Sequence, residues 1–146
     1  MKNTKASTVP PRHMLRTEAE EQCDLMVWAN SCVVSGVHPE LQLLHAIPNG
    51  GRRDRAEAAH LKRQGVKPGV PDLSLPVPRG VYHGLYIEMK VGKNKPTQNQ
   101  RQWLTVLSYY GYATRVCNSA NEARDVIEKY LSLSYESVAI CIPHGE

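Results

Sequence analysis

The 146-residue sequence predicts a single α/β domain with a mixed β-sheet flanked by helices. Helical and strand patterns follow one another in the order α-β-α-β-β-α-β-α, which is typical of a sheet covered by helices. The loop between the two consecutive strands is too short for a crossover helix, so these strands should be antiparallel. The other strands lie between helices, and the expected sheet is therefore mixed.

The first half of the chain is divided by capping and turn residues. Residues 1–16 are polar and basic, and we expect them to form a flexible lead-in. A T-x-x-E capping box at Thr17 opens a helix that should run to about Val34. A short apolar run over 43–47 and a basic helix over 54–64 follow, and the helix is stopped by a glycine.

The second half contains two strands, a helix, a strand and a helix, predicted at 72–75, 85–91, 97–110, 113–117 and 119–131. Thr97 and Ser119 begin the two helices, because each is a capping residue with Gln or Glu three positions later. We expect residues 17–131 to form the domain. Residues 132–146 are a C-terminal extension, whose apolar run over 138–142 could add an edge strand.

Composition and charge are those of an ordinary globular protein, with 41% hydrophobic residues, 22% charged residues and a formal net charge of +4. This mild basic bias permits a polyanionic partner without requiring one. There is no 18-residue apolar run, and the N-terminus lacks the apolar core of a signal peptide, so we expect no membrane contact and an intracellular location. The cysteines form no C-x-x-C pair and are expected to be free thiols: Cys23, Cys32, Cys117 and Cys141.

The strand around Glu88 places an acid and a lysine on one face. Because side chains alternate along a strand, Glu88 and Lys90 share the face opposite Ile87, about 7 Å apart. Such a pair also arises by chance on a strand with one exposed face. Asp72, separated from Glu88 by 15 residues, opens the neighbouring strand, and two carboxylates brought together there would repel each other unless a cation intervened.

A divalent ion such as Mg²⁺ suits this pair, since it binds one or two carboxylates and completes its shell with water and phosphate oxygens. A metal lowers the pKa of a bound water and neutralises charge on a phosphate. Lys90 could orient that water or stabilise the pentavalent transition state. The pattern therefore favours phosphodiester hydrolysis.

Two more polar residues fall where burial is expected. On a helical wheel, Glu18 and Gln22 lie within the apolar part of the first helix, and a carboxylate there needs a partner or a metal. The alternative is that Glu18 is exposed at the helix end. Gln100 heads the apolar stripe of its helix and should face the sheet, although it could simply complete the capping box with Thr97.

Basic residues surround these segments and could contact phosphate groups. The turn from Pro48 to Arg53 could form a backbone nest with arginines, and the basic helix after it could equally be a solvated face. The candidate nucleic-acid contacts are Asn49, Arg52, Arg53, Lys67, Lys93 and Lys95. The histidines have no zinc-ligand spacing, which argues against a zinc site.

These residues together resemble the VRR-NUC domain, a branch of the PD-(D/E)xK nuclease superfamily. The resemblance covers about Thr17 to Leu131 and is carried by Ile47-Pro48-Asn49-Gly50-Gly51, Gln64-Gly65-Val66-Lys67-Pro68-Gly69-Val70-Pro71-Asp72-Leu73, Ile87-Glu88-Met89-Lys90 and Gln100. It implies a restriction-endonuclease-like core in residues 17–131 that uses Mg²⁺ or Mn²⁺.

The resemblance also assigns roles to individual residues. Asp72 and Glu88 would bind the metal with the Met89 carbonyl, and Lys90 would be the catalytic lysine. Glu18, four positions before a glutamine as in the family, would complete the metal site, and Gln100 matches the family glutamine that follows the lysine.

Members of this family that consist of the domain alone are similar to phage or prophage proteins, which implies the cytoplasm of a bacterial or phage-infected cell. They resemble Holliday-junction resolvases, so the resemblance implies a homodimer that acts on branched DNA and leaves a 5′-phosphate, without a small-molecule substrate. Two alternatives stay open. One is a DNA-binding module whose acidic cluster is only structural, and the other is a nuclease of duplex DNA or RNA.

Overall fold

A computed structural model describes residues 16–48 and 55–134. It contains four α-helices, four strands and one 3₁₀ helix, Pro39–Leu43, in this part of the chain. The helices are α1 (Glu18–Ser35), α2 (Arg55–Arg63), α3 (Gln98–Tyr109) and α4 (Ala120–Leu131). The strands are β1 (His45–Ala46), β2 (Leu73–Leu75), β3 (Leu85–Met89) and β4 (Ala113–Cys117).

The strands form one mixed sheet in the order β1-β2-β3-β4. Strand β2 is antiparallel to both of its neighbours, β1 and β3, whereas β3 and β4 are parallel and joined through α3. A helix is the usual connection between parallel strands, because the chain must return to the same end of the sheet. The predicted fold class and the predicted antiparallel pair are both confirmed.

The two faces of the sheet have different coverings. One face carries the alternating apolar residues of β2 and β3, which join Leu25 and Ala29 of α1 and Ile127 of α4 in the hydrophobic core. On the opposite face α3 packs against β4, and the Ser108 and Thr114 hydroxyls lie 2.8 Å apart. Four of the five residues of β3 are buried, so a polar side chain on either face of this strand is largely removed from water.

The boundaries of the elements differ slightly from those expected. The Thr17 capping box is present, and α1 ends at Ser35, because Gly36 adopts a left-handed conformation with φ of 75°. Strand β3 ends at Met89 rather than at residue 91, since Val91 already accepts a turn hydrogen bond from the Asn94 amide at 3.1 Å. The apolar run over 43–47 yields only the two-residue strand β1 after the 3₁₀ helix.

Two further expectations concern membrane-spanning helices and the state of the cysteines. No helix in residues 16–48 and 55–134 is long and apolar enough to cross a membrane. The cysteines at 23, 32 and 117 are free thiols, as expected, and burial raises the pKa of the Cys117 thiol to about 12. The apolar run over 138–142 and Cys141 lie outside the described residues.

Candidate active site

The hairpin of β2 and β3 brings Asp72 beside Glu88. Leu73 pairs with Ile87, so the antiparallel register places the residue before Leu73 next to the residue after Ile87. The Asp72 carboxylate accepts a hydrogen bond from the Met89 amide at 2.8 Å, and the Asp72 carbonyl accepts one from the Ile47 amide at 2.7 Å. Both its backbone and its side chain are thus held by neighbouring strands.

Glu88 is fully buried, with 0% of its surface exposed. Its Oε1 atom accepts hydrogen bonds from the Lys90 ammonium, at 2.6 Å, and from the Gln100 side-chain amide. Its Oε2 atom is buried and has no hydrogen-bond partner within the part of the chain that is described. An unsatisfied buried oxygen of a carboxylate is costly, so this atom is suited to a cation.

Burial raises the pKa of Glu88 to about 7, and the negative charge of Asp72 adds to this rise, while Lys90 opposes it. Burial likewise raises the pKa of Asp72, against the lowering effect of the Met89 amide. Both carboxyl groups therefore resist ionisation when they are close together without a metal. A divalent cation between them would remove this resistance.

Lys90 is almost completely buried, and its Nζ atom lies 2.6 Å from Glu88 Oε1 and 3.5 Å from Glu18 Oε2. Burial acts to lower the pKa of this ammonium. The hydrogen bond to Glu88 and the charges of Glu88, Glu18 and Asp72 outweigh burial, and the pKa is raised. Lys90 is therefore a fixed positive charge at neutral pH.

Glu18 lies in the first turn of α1, where 39% of its side chain is exposed. The Asn94 side-chain amide donates a hydrogen bond to Glu18 Oε1 at 3.3 Å. This contact, together with the Lys90 ion pair, joins the start of α1 to the end of β3 and the loop after it. The helical wheel left two alternatives for Glu18, and both describe part of its environment: it is partly exposed, and its carboxylate contacts Lys90.

Gln100 uses both ends of its side-chain amide. The Oε1 atom accepts a hydrogen bond from the Thr97 amide at 2.8 Å and so completes the capping box of α3. The Nε2 atom donates to Glu88. The capping role and the sheet-facing role, which sequence reasoning treated as alternatives, are therefore filled by one side chain.

The residues present fit a divalent ion that takes its protein ligands from Asp72 and Glu88. Within residues 16–48 and 55–134, no three His, Cys, Asp or Glu side chains converge into a ready-made metal cage. Mg²⁺ needs only one or two carboxylates from the protein, which Asp72 and Glu88 can supply. Metal ligation by Glu18 and by the Met89 carbonyl stays a prediction, and the Glu18 carboxylate is engaged with Lys90 and Asn94.

The candidate nucleic-acid contacts divide into two groups. Lys67 is exposed in the turn before β2, and Lys93 and Lys95 are exposed in the loop after β3. The other three candidates lie outside the described residues: Asn49, Arg52 and Arg53. The structure therefore places basic side chains on both segments that lead to the acidic pair.

Sequence reasoning missed two residues. Glu21 is buried, and its Oε2 atom accepts a hydrogen bond from the Ala120 amide at 2.6 Å, so it caps α4 from α1. Its spacing of four and eight residues from Leu25 and Ala29 was the available signal, because it places Glu21 on the core stripe. Asn94, the partner of Glu18, carried no such signal, since it lies in a loop.

Comparisons with known proteins identify the family to which the chain belongs. The family model for the VRR-NUC domain matches residues 13–121. A solved structure described as a VRR_NUC domain protein is 35% identical to the chain, covers 82% of it and 91% of its own length, and superposes with a TM-score of 0.70. No curated protein matches the chain. The nuclease superfamily inferred from the sequence is consistent with these matches, and the chain belongs to the VRR-NUC domain family.

Proposed function

We propose that the protein is a divalent-metal-dependent endonuclease that hydrolyses phosphodiester bonds of DNA. Membership of the VRR-NUC family supports a nuclease-type function. The observation that carries the proposal further is the unpartnered, buried Oε2 atom of Glu88 beside Asp72. A bound cation would neutralise this buried oxygen, which none of the hydrogen bonds among the described residues does.

Asp72 and Glu88 would hold Mg²⁺ or Mn²⁺. The ion would lower the pKa of a coordinated water and neutralise charge on the scissile phosphate. Asp72 is held for this task by the Met89 amide, and Glu88 by the Gln100 amide, so neither carboxylate must reorganise. Such fixed positions matter because small displacements of ligands are costly in catalysis.

Lys90 supplies a fixed positive charge next to the carboxylates. Since its pKa is raised, the side chain keeps its proton at neutral pH and does not act as a base. It can hold the attacking water by hydrogen bonding, or stabilise the negative charge that develops on the pentavalent phosphate. Gln100 positions Glu88 and is not expected to contact the substrate.

Branched DNA is the proposed substrate class, and a homodimer is the proposed active form. Two strands of a junction need two cuts, which a two-fold symmetric dimer provides from identical sites. The basic residues on the segments before β2 and after β3 provide phosphate contacts in this proposal.

The decisive experiment is a cleavage panel containing a four-way junction, flap, splayed arm, duplex, single strand and RNA, each with Mg²⁺, Mn²⁺ or EDTA. Lys90→Ala should lower the single-turnover rate by about 10²- to 10³-fold, as expected for loss of a group that stabilises the transition state, while DNA binding persists. Asp72→Ala should abolish the metal-dependent cleavage, while DNA binding persists. Lys129→Ala, an exposed lysine on α4, is the matched control and should cut like the wild type.

The panel also separates the alternatives. Equal behaviour of the wild type and Lys90→Ala on every substrate would leave a DNA-binding module without catalysis. Preferential cutting of linear duplex or RNA would replace the branched-DNA proposal. Light scattering of the full chain tests the dimer, and a monomeric mass with full junction cleavage would contradict it.

A further inference from the structure

A surface cavity of about 420 Å³ lies beside the candidate active site. It is formed between α3 and the turn before β2 and is lined by Lys67, Pro68, Asn99, Gln102, Trp103 and Val106. A neighbouring cavity of about 350 Å³ shares Lys67 and Trp103 with the first. Cavities of several hundred cubic ångströms are the size of small-ligand sites, so each has room for one aromatic ring system.

The cavity adjoins the acidic cluster through α3. Asn99 lines the cavity, whereas its neighbour Gln100 donates to Glu88. Trp103 follows Gln100 by three residues, which is roughly 4.5 Å along the helix axis.

The turn before β2, which forms one wall of the cavity, lies against α3 at Gly69. A Cβ atom at Gly69 would lie 2.7 Å from the Asn99 Cβ, so the turn rests directly on the first turn of α3. The chain then reaches Asp72 three residues later. The turn before β2 and the start of α3 thus line the cavity and also supply Asp72 and Gln100 to the acidic site.

The lining combines an aromatic surface with hydrogen-bonding groups and a cation. Trp103 is half-buried, and its indole N–H is held by the Pro68 carbonyl at 3.1 Å. The Asn99 and Gln102 amides are exposed at the rim, as is the Lys67 ammonium. An aromatic face suits a nucleobase of any sequence, because every base has a π-face.

Charge around the cavity favours a polyanion over a second copy of this basic chain. Among the residues that the structure describes, no carboxylate lines the cavity. The sequence from 91 to 114 contains Lys93, Lys95 and Arg101 and no acid, and that from 58 to 71 contains Lys62, Arg63 and Lys67 and no acid. Both walls of the cavity are drawn from these two segments, so the phosphate backbone is the complementary partner.

We propose that this cavity binds one unpaired nucleotide of the DNA substrate, with the base packed against Trp103 and a phosphate beside Lys67. The inference rests on the proposed nuclease function and specifies its substrate: DNA that offers an unstacked base near the cut. A fully paired duplex would first have to expose a base, which costs unpairing and unstacking energy. A branch point, where bases are already loosened, avoids that cost.

The test uses a splayed-arm oligonucleotide with 2-aminopurine at the first unpaired position, and the full chain in EDTA so that no bond is cut. Wild type should quench the 2-aminopurine fluorescence as the base packs against the indole. Trp103→Ala should abolish the quench and raise the Kd for this DNA roughly 5- to 100-fold, the range for loss of one stacking contact. Affinity for a fully paired duplex of the same sequence should change less than about twofold.

Three further variants refine the result. Trp103→Phe should retain most of the quench, because an aromatic face remains. Lys67→Gln should weaken binding and reduce the salt slope of log K by about one. Tyr109→Ala is the matched control, since Tyr109 is an exposed aromatic residue on the same helix outside the cavity, and this variant should bind like the wild type.

The inference is overturned if Trp103→Ala binds the splayed arm as the wild type does, or loses paired and unpaired DNA alike. It is also overturned if Trp103→Ala changes the oligomeric mass without changing DNA affinity, which would identify a second copy as the occupant. If circular dichroism shows that Trp103→Ala does not fold, the Lys67→Gln variant serves as the test. Unchanged affinity of Lys67→Gln for the splayed arm would then refute the nucleotide site. Quenching without cleavage of any substrate would refute the proposed nuclease while leaving the nucleotide site in place.

Discussion

Replacement of Glu88 by glutamine should change how the stability of the metal-free protein depends on pH. The pKa of Glu88 is about 7 in the folded state and close to its ordinary value of 4.5 when the chain is unfolded. Between these two values the folded state holds a proton that the unfolded state has released. Stability therefore falls as pH rises through this window, and the loss is complete above the folded pKa.

The size of the effect follows from the two pKa values. Each pH unit within the window costs about 1.4 kcal/mol, so the loss between pH 4.5 and pH 7 is on the order of 3 kcal/mol. Asp72, whose pKa is also raised, adds to the loss in the same direction. Lys90 does not contribute here, because its raised pKa affects stability only above the ordinary lysine range.

Urea unfolding in EDTA at pH 5, 6, 7 and 8 measures this loss. The free energy of unfolding of the wild type should decrease across the series, and that of Glu88→Gln should decrease much less, because the substituted amide does not ionise. All other ionisable groups are shared by the two proteins, so the difference between the curves isolates Glu88. In a second series with Mg²⁺ in place of EDTA, the added metal should stabilise the wild type more at pH 8 than at pH 5, because carboxylates bind metal when they are deprotonated.

Two results would refute this reasoning. Parallel curves for the wild type and Glu88→Gln would mean that Glu88 ionises equally easily in the folded and unfolded states. A wild-type curve that rises relative to that of Glu88→Gln from pH 5 to pH 8 would mean that favourable contacts of the Glu88 carboxylate outweigh its burial, which is the opposite sign.

Three further substitutions test the packing around the site. Glu21→Ala should lower the free energy of unfolding in urea by about 1–3 kcal/mol, because the buried Ala120 amide loses its acceptor, and no loss would contradict the capping role. Tyr130→Phe removes the hydroxyl that donates to the Val77 carbonyl at 2.6 Å and should cost about 1–2 kcal/mol, whereas an unchanged urea midpoint would argue against this bond. Gly69→Ala should lower the melting temperature and slow cleavage together, since φ is +84° and the added Cβ would meet Asn99, and wild-type values for both would show that the turn can relax.

Local signals were sufficient for most of the fold. Thr17, Thr97 and Ser119 mark helix starts through side-chain caps that depend on residues only three positions away, and all three caps are present. The hairpin followed from the short loop between two strand patterns. The direction of β4 was less accessible, because pairing with β3 depends on how α3 crosses the sheet.

The site was accessible to sequence reasoning in part. Alternation along β3 placed Glu88 and Lys90 on one face, and the structure puts their side chains in contact. That face was open to two interpretations, exposed or functional, because the sequence does not state what covers it. Gln100 at the start of α3 contacts Glu88, and Glu88 is completely buried, which only this tertiary arrangement shows.

Contacts between distant segments account for what sequence reasoning missed. Glu21 caps a helix that begins 99 residues later, so no local sequence pattern predicts its contact with Ala120. The contact of Asn94 with Glu18 similarly joins a loop to the start of α1. Such pairs form only once the sheet has brought remote helices together.

The double use of Gln100 has a consequence for motion. Its side chain secures the opening turn of α3 with one atom and the central carboxylate with another, so unravelling of that turn would release both at once. Amide hydrogen exchange in the first turn of α3 should consequently report the order of the acidic pair. A substitution that frays this helix end would loosen the metal ligands without altering either of them.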